Sequence, residues 1–217
     1  MGKQPAVLDK VTCFITREAN NRTELLLIQH PNAGIQLPAG TVEHNEDITA
    51  AALREAREET GLSEFTACTY IGKQELTLPE HNRILLHSAK VYSRPDLQSS
   101  SWAEFRRGIT VQHVRSSGDF VQVSYIEGDR YPDPQYVTYQ ITGWVEPSVL
   151  ASIVSRHFYH MHSHCSLSVW EQDADDHRFK LFWAPLEDLP EIVSPQNKWL
   201  HFVTNNLNYS LTEKYRA

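Results

Sequence analysis

The sequence predicts an α/β protein that is interrupted by a smaller β-rich segment. The first ninety or so residues combine short apolar runs with one stretch of helical periodicity. A Ser-rich stretch, 93–101, then indicates a linker or an insertion boundary. Beyond it, short β-branched and aromatic runs separated by tight turns favour a small sheet or barrel. Together these patterns predict one α/β domain carrying a β-rich insert.

Four strands and one helix are predicted before the Ser-rich stretch. The strands are placed at 11–16, 25–29, 65–76 and 83–92. The helix begins after Asp47, a good N-cap residue, and ends at Gly61, which suits a C-cap. Its apolar positions, among them Ile48, Ala51 and Ala56, recur at three- and four-residue spacing. This helix is the clearest element of the sequence.

The β-rich segment is predicted to contain three strands, at 109–114, 120–125 and 136–144. The segment 109–150 ends in Gly143-Trp144-Val145 and resembles the bacterial SH3-like family, whose repeats often close with such a strand. We therefore expect an SH3-like insert at 102–151 within a discontinuous domain made of 1–98 and 152–217.

The last part of the chain returns to the pattern of the first. Two strands are predicted, at 156–164 and 179–183, with an acidic loop at 171–176 between them. A final helix is predicted at 197–206, where aromatic and aliphatic residues form one face.

Composition narrows the classes of function. The formal net charge of -7 argues against a broad nucleic-acid surface, because phosphate backbones are held mainly by Lys and Arg. No apolar run approaches the roughly 18 residues of a membrane span, so we expect a cytoplasmic protein. The three cysteines are far apart and are expected to be reduced thiols.

A spaced motif surrounds the predicted helix. Its seven fixed positions are Gly40, Glu46, Arg54, Glu55, Glu58, Glu59 and Gly61. On a helix of 3.6 residues per turn, Glu55, Glu58 and Glu59 fall within an arc of about 100°. Carboxylates this close repel one another unless a cation lies among them. Oxygen ligands alone favour Mg²⁺, with Mn²⁺ as a substitute.

This motif is the complete Nudix box, and the chain resembles the Nudix hydrolase family. Leu37-Pro38-Ala39-Gly40 and the later Phe182-Trp183-Ala184-Pro185-Leu186 resemble the flanking elements of that family. The resemblance implies an α/β/α sandwich with a mixed sheet and a metal-dependent hydrolase of phosphoanhydride bonds. It also implies that the carbonyl of Ala39 or Gly40 completes the shell of the metal held by the three glutamates.

The catalytic roles are predicted from charge and spacing. Arg54 lies four residues before Glu58 and is expected to orient its carboxylate. The attacking water is oriented either by Glu58 or Glu59, or by a general base from the late acidic loop, as in many Nudix enzymes. Asp176 is the first candidate in that loop and Glu171 the second.

Three histidines form the main competing constellation. His160, His162 and His164 alternate along a predicted strand and so share one face. They either bind substrate, as we expect of His160 and His162, or bind a transition metal, or are structural.

The expected substrate is a nucleoside diphosphate linked to another moiety, of the ADP-ribose or nucleotide-sugar type. Leu37-Pro38-Ala39-Gly40 and Pro79 are similar to features of ADP-ribose pyrophosphatases, although Pro79 is about one residue off their spacing. The alternative is a non-catalytic nucleotide sensor or adaptor that uses the insert to bind a partner. We expect the insert to act as a lid or as the contact of a homodimer.

Overall fold

The computed structural model describes residues 6–129, 134–174 and 177–209. The helices in these ranges are α1 (Ile48–Thr60) and α2 (Leu200–Asn206). The strands are β1 (Val7–Ala19), β2 (Arg22–His30), β3 (Gly34–Gln36), β4 (Ala39–Thr41), β5 (Ala67–Thr77), β6 (Asn82–Leu85), β7 (Ala89–Tyr92), β8 (Ser101–Phe105), β9 (Thr110–Ser117), β10 (Phe120–Gly128), β11 (Val137–Val145), β12 (Leu150–Ala151), β13 (Ile153–His162), β14 (Val169–Ala174) and β15 (His177–Pro185). None of the described helices is long and apolar enough to span a bilayer.

The chain divides into two compact units. One, called here the β-rich unit, comprises 1–9 and 75–155. The other, called the box unit, comprises 10–74 and 156–217 and contains the glutamate motif. The chain passes between the units within β1, β5 and β13, so each unit is built from segments distant in sequence.

The box unit is organised around a sheet with the strand order β14-β15-β2-β1-β13-β5, with β3 on β2 and β4 on β1. The pairs β14–β15, β15–β2 and β2–β1 are antiparallel. Side-chain bonds join Thr12 to Arg156 and Thr16 to His160, and this equal step along both strands indicates that β1 and β13 run parallel. The sheet is therefore mixed, as predicted.

A helix covers each face of this sheet. Val11, Cys13 and Ile15 of β1 pack with the buried alanines of α1 in one core cluster. Phe14 lies between Cys13 and Ile15 on β1 and belongs to a second cluster with Leu200 and Val203 of α2. Because successive side chains of a strand point to opposite faces, the two clusters lie on the two sides of the sheet. The predicted α/β/α fold class is confirmed.

Helix α1 has the predicted caps. The Asp47 carboxylate accepts the backbone N–H groups of Thr49 and Ala50, at 2.9 and 3.0 Å. Gly61 ends the helix in the left-handed region, with φ of 71°, where glycine carries no Cβ penalty. Against the sheet, the Cys13 thiol donates to the carbonyl of Ala52 at 3.3 Å. Burial raises the pKa of the Cys13 thiol, so it stays protonated.

The β-rich unit has its own sheet, with the strand order β12-β6-β9-β10-β11-β7-β8. Its core includes Val91, Phe105, Val123 and Val145, and Trp144 is also buried. The unit is wider than the expected insert, 102–151, because β6 and β7 pair with β9 and β11. That 102–151 is a separate SH3-like domain stays a prediction.

Several elements differ from those predicted. The strand expected at 83–92 is two strands, β6 and β7, separated at 86–88. Part of the expected acidic loop is strand β14, whose pairing with β15 outweighs its acidic composition. The final helix starts as a 3-10 turn at Gln196–Trp199 before α2. In each case, long-range pairing or packing decides what local composition does not.

The N-cap of α1 gives a direct test of how this helix is stabilised. We expect Asp47→Ala to lower the free energy of unfolding by about 1 kcal/mol, because two backbone N–H groups lose their acceptor. Asp47→Asn is the matched control and should remain close to the wild type, since Asn caps as well as Asp. Urea unfolding monitored by circular dichroism measures both. Equal losses in the two variants would show that the carboxylate charge, and not the cap bond, matters.

Candidate active site

Two glutamates of α1 are fixed against the short strand β4. The Glu55 carboxylate accepts the backbone N–H of Thr41 at 3.1 Å, and that of Glu59 accepts the N–H of Ala39 at 2.7 Å. Residues four apart on a helix lie on the same face, so both carboxylates face the same three-residue strand. The carboxylates thus converge at one place, although α1 and β4 are separate elements.

Gly40 makes this approach possible. A Cβ built on Gly40 would overlap the Glu55 carboxylate, so a larger residue would displace that carboxylate from its place against β4. The glycine at the start of the motif therefore has a steric role that spacing alone does not reveal.

Arg54 joins three carboxylates of the motif. Its Nε and Nη2 donate to the two oxygens of Glu46, at 2.8 and 2.9 Å. Its Nη1 lies 2.9 Å from an oxygen of Glu55 and donates to Glu58 at 3.0 Å. The predicted pair with Glu58 is thus present, and the two-pronged pair with Glu46 adds a contact that the sequence did not identify.

The electrostatic effect of this network appears in the Arg54 pKa. The hydrogen bond to Glu46 is the largest cause that raises the Arg54 pKa above its ordinary value, and Glu55 and Glu58 act in the same direction. Burial opposes them. Arg54 therefore stays charged and offsets the mutual repulsion of the acids.

Strand β14 contacts the end of α1 through two residues that the sequence did not single out. The Trp170 indole donates to the carbonyl of Thr60 at 2.7 Å, and the Gln172 amide donates to that of Glu58 at 3.1 Å. Both carbonyls lie in the last turn, where helices lack internal donors. The sequence signal that could have identified them is the alternation of Trp170 and Gln172 with acidic residues, which places both side chains on one face of a strand.

The candidate bases of the late segment are placed differently. Glu171 lies between Trp170 and Gln172, so its side chain is on the other face of β14, where it is exposed and 3.8 Å from Arg178. The structure does not bring Glu171 to the box glutamates. Asp176 lies outside the described residues.

The histidines of β13 are held by neighbouring side chains. His160 Nε2 lies 2.8 Å from the Thr16 hydroxyl, and its Nδ1 accepts from the Asn206 amide at 3.0 Å. His162 Nδ1 lies 3.0 Å from the Thr66 hydroxyl. The rings of His162 and His164 are 4.9 Å apart. A substrate contact by His160 requires it to release one of these partners, so the bonds favour a structural role.

Comparison with protein families identifies the motif. The NUDIX domain family model matches residues 8–107, which include the whole glutamate motif and β4. The chain therefore carries a NUDIX domain match within residues 8–107. The match also extends into the first strands of the β-rich unit, so the Nudix sequence pattern is not confined to the box unit.

Two solved structures illustrate the matches to this chain. The NUDIX domain of Shewanella oneidensis NrtR, complexed with ADP ribose, has 13% identity and a TM-score of 0.47, with 93% of this chain and 89% of that chain covered. The Ap4A hydrolase of C. elegans, in a binary complex, has 14% identity and a TM-score of 0.44, with 93% and 98% covered. A comparison with curated proteins gives no match. At these identities and TM-scores, neither structure indicates a substrate for this chain.

The donor set of the Nudix box suits a hard divalent cation, since it offers carboxylate oxygens. In the described residues, however, no three His, Cys, Asp or Glu side chains are grouped so that they could hold a metal ion. Glu55 and Glu59 instead accept backbone N–H groups, and Glu58 accepts from Arg54. To bind a metal ion, these carboxylates must therefore either keep their present hydrogen-bond donors and bind the ion as well, or release those donors.

The Arg54 network predicts a large effect of a single substitution. Arg54→Met leaves Glu46 and Glu55, both mostly buried, without their cation. We expect the free energy of unfolding to fall by about 1 to 3 kcal/mol, less than for a fully buried pair because Arg54 is partly exposed. Urea unfolding measures the change. The double variant Arg54→Met/Glu46→Gln should regain part of the loss, and a double variant as unstable as the single one would contradict the network.

Proposed function

We propose that this protein is a Nudix hydrolase that cleaves a phosphoanhydride bond in a nucleoside diphosphate linked to another moiety. ADP-ribose and nucleotide sugars are the favoured substrates, and Mg²⁺, for which Mn²⁺ substitutes, is the required ion. One observation carries the proposal: the Glu55 and Glu59 carboxylates converge on β4, while Arg54 joins Glu58 to Glu55. A purely structural acidic face has no need of this arrangement.

The ligands in this proposal are the carboxylates of Glu55, Glu58 and Glu59 and the carbonyl of Ala39. A divalent cation held there neutralises phosphate charge and lowers the pKa of a bound water. Arg54 fixes the orientation of the Glu58 carboxylate through the 3.0 Å bond. The Ala39 N–H fixes Glu59 in the same way. The chain thus arranges its charges before substrate arrives, which is how enzymes stabilise a transition state without reorganisation.

The proposed path of the proton starts at the attacking water. Of the three helix acids, Glu58 has a side chain that is 56% exposed, against 12% for Glu55, so it has the better access to a water. Within the box, Glu58 is therefore our candidate to orient that water, and Glu59 is the second. A base from the late segment, Asp176, is the competing assignment, since Glu171 lies on the face of β14 away from α1.

The experiment that tests the class is a hydrolysis screen with and without Mg²⁺, read by anion-exchange chromatography, because cleavage of ADP-ribose yields AMP and a ribose phosphate and no free phosphate. The panel contains nucleotide sugars, ADP-ribose, dinucleoside polyphosphates, nucleoside triphosphates and coenzyme A. We expect Mg²⁺-dependent turnover that is highest with ADP-ribose or a nucleotide sugar. We expect Glu58→Gln to lower this turnover at least about 100-fold, because the variant loses a charged ligand.

Glu58→Gln has two built-in controls. The amide oxygen can still accept from Arg54, and one of the repelling charges is removed, so the melting temperature without metal should change little. Glu64→Gln removes an exposed acid just beyond α1 and should keep wild-type activity. Turnover above a tenth of the wild-type value in Glu58→Gln would count against the metal assignment. Absence of turnover in the wild type with every substrate would favour a nucleotide sensor.

The base is assigned by a second pair of variants. If Asp176 is the general base, Asp176→Asn should lower kcat by roughly 10²- to 10⁴-fold with little change in substrate binding. Glu171→Gln should keep kcat within about threefold, because its side chain lies on the face of β14 away from α1. Single-turnover kinetics measures both. Near-normal rates in both variants would indicate that Glu58 or Glu59 orients the attacking water.

A further inference from the structure

Arg156 occupies an unusual place in the box unit. It lies on β13, where its Nη1 donates to the carbonyl of Val11 at 3.3 Å and to the hydroxyl of Thr12 at 2.9 Å. Its guanidinium carbon lies 4.4 Å from the centre of the Trp199 ring. All these partners are neutral, so they orient the guanidinium without balancing its charge.

Burial, and not a neighbouring acid, is the cause of the altered pKa of Arg156. It lowers the pKa of Arg156 to about 10, which shows that the charged form is disfavoured there. No carboxylate forms an ion pair with Arg156 among the described residues. Buried charges in proteins are normally paired, because an unpaired one is costly. An arginine without an acid, kept in a partly buried place, therefore points to an anion that is supplied from outside.

A second cation lies beside it. Lys10 is two residues before Thr12 on β1 and so shares its face of the strand. Burial first, and then the charge of Arg156, lowers the Lys10 pKa to about 8, while Glu55 acts in the opposite direction. Lys10 is also paired in register with Thr41 of β4, the strand that holds Glu55 and Glu59. Lys10 therefore lies beside β4 of the Nudix box, and Arg156 is close to Lys10 on the neighbouring strand β13.

We propose that Lys10 and Arg156 form a subsite for a phosphate group of the bound nucleotide, next to the box glutamates. The inference rests on the proposed function for the identity of the nucleotide, but the anion site itself does not. Two like charges in a partly buried place repel each other until a dianion joins them. A phosphate matches this need, because Arg offers a planar pair of donors and Lys a mobile ammonium.

A structural role for Arg156 is the competing explanation, since its guanidinium also stacks on Trp199. The two explanations differ in what happens when the charge is removed and the stem is kept. If Arg156 only supports packing, Arg156→Met loses hydrogen bonds and melts at a lower temperature. If Arg156 instead binds an anion, Arg156→Met removes an unpaired charge. The variant then melts no lower than the wild type, but it loses anion binding.

The test uses the full chain in EDTA with pyrophosphate as the probe, measured by calorimetry and by thermal shift. We expect Arg156→Met and Lys10→Met to weaken pyrophosphate binding by about 10- to 100-fold. Arg156→Lys should weaken it less than Arg156→Met, because the charge remains. The matched controls are Arg22→Met and Lys90→Met, which change exposed cations elsewhere and should leave binding unchanged. Unchanged binding in both site variants, or a lower melting temperature with unchanged binding, would overturn the subsite.

The source of the phosphate is resolved by a second set of titrations, with ADP and with inorganic phosphate. If the subsite takes a phosphate of the nucleotide, ADP binds more tightly than phosphate, and both site variants weaken ADP. If the variants weaken only inorganic phosphate and leave ADP unchanged, the nucleotide assignment is wrong.

The outcomes also separate this inference from the proposed hydrolysis. Pyrophosphate binding that depends on Lys10 and Arg156, in a protein that hydrolyses nothing in the screen, would support the subsite and reject the hydrolase. Normal ADP and pyrophosphate binding in both site variants, alongside loss of turnover in Glu58→Gln, would reject the subsite and support the hydrolase.

Discussion

The shared guanidinium of Arg54 is the interaction on which the box depends. Nε and both Nη atoms donate, and their acceptors include Glu46 and Glu58 of the motif as well as the carbonyl of Thr41. These partners lie before, on and beside α1, so one side chain ties the loop, the helix and β4 into a single block. Without it, the acids that converge on β4 would repel one another. The geometry of the glutamates is thus a property of the network and not of the helix alone.

This arrangement sacrifices local stability at the end of α1. Glu58 and Glu59 lie in the last turn, where the negative end of the helix dipole disfavours an acid by about 0.3 to 1 kcal/mol. The surroundings offset part of this cost, because the Ala39 N–H and Arg54 donate to the acids and Gln172 donates to a terminal carbonyl. Acids kept at an unfavourable place by several donors are typical of functional sites, which depart from local preferences that hold elsewhere.

Local signals in the sequence were sufficient for α1, because Asp47 and Gly61 form the caps by contacts within a few residues. They were not sufficient for β14, where acidic side chains indicated a loop but pairing with β15 produced a strand. The break between β6 and β7 contains neither Gly nor Pro, so nothing local marked it. The same distinction applies to the site. Fixed spacing on one helix revealed the glutamates, whereas Lys10 and Arg156 are brought together only by the pairing of β1 with β13.

The proposed phosphate subsite of Lys10 and Arg156 and the glutamate cluster place opposite charges in the box unit. Glu55 connects them electrostatically, since it is bonded to Arg54 and acts on the pKa of Lys10. A ligand that carried only negative charge would satisfy Lys10 and Arg156 but would face the acids of α1. A cation alone would satisfy the acids and leave the two basic residues unpaired. Under the proposed function, a nucleoside diphosphate that arrives with a divalent ion would supply both charges at once.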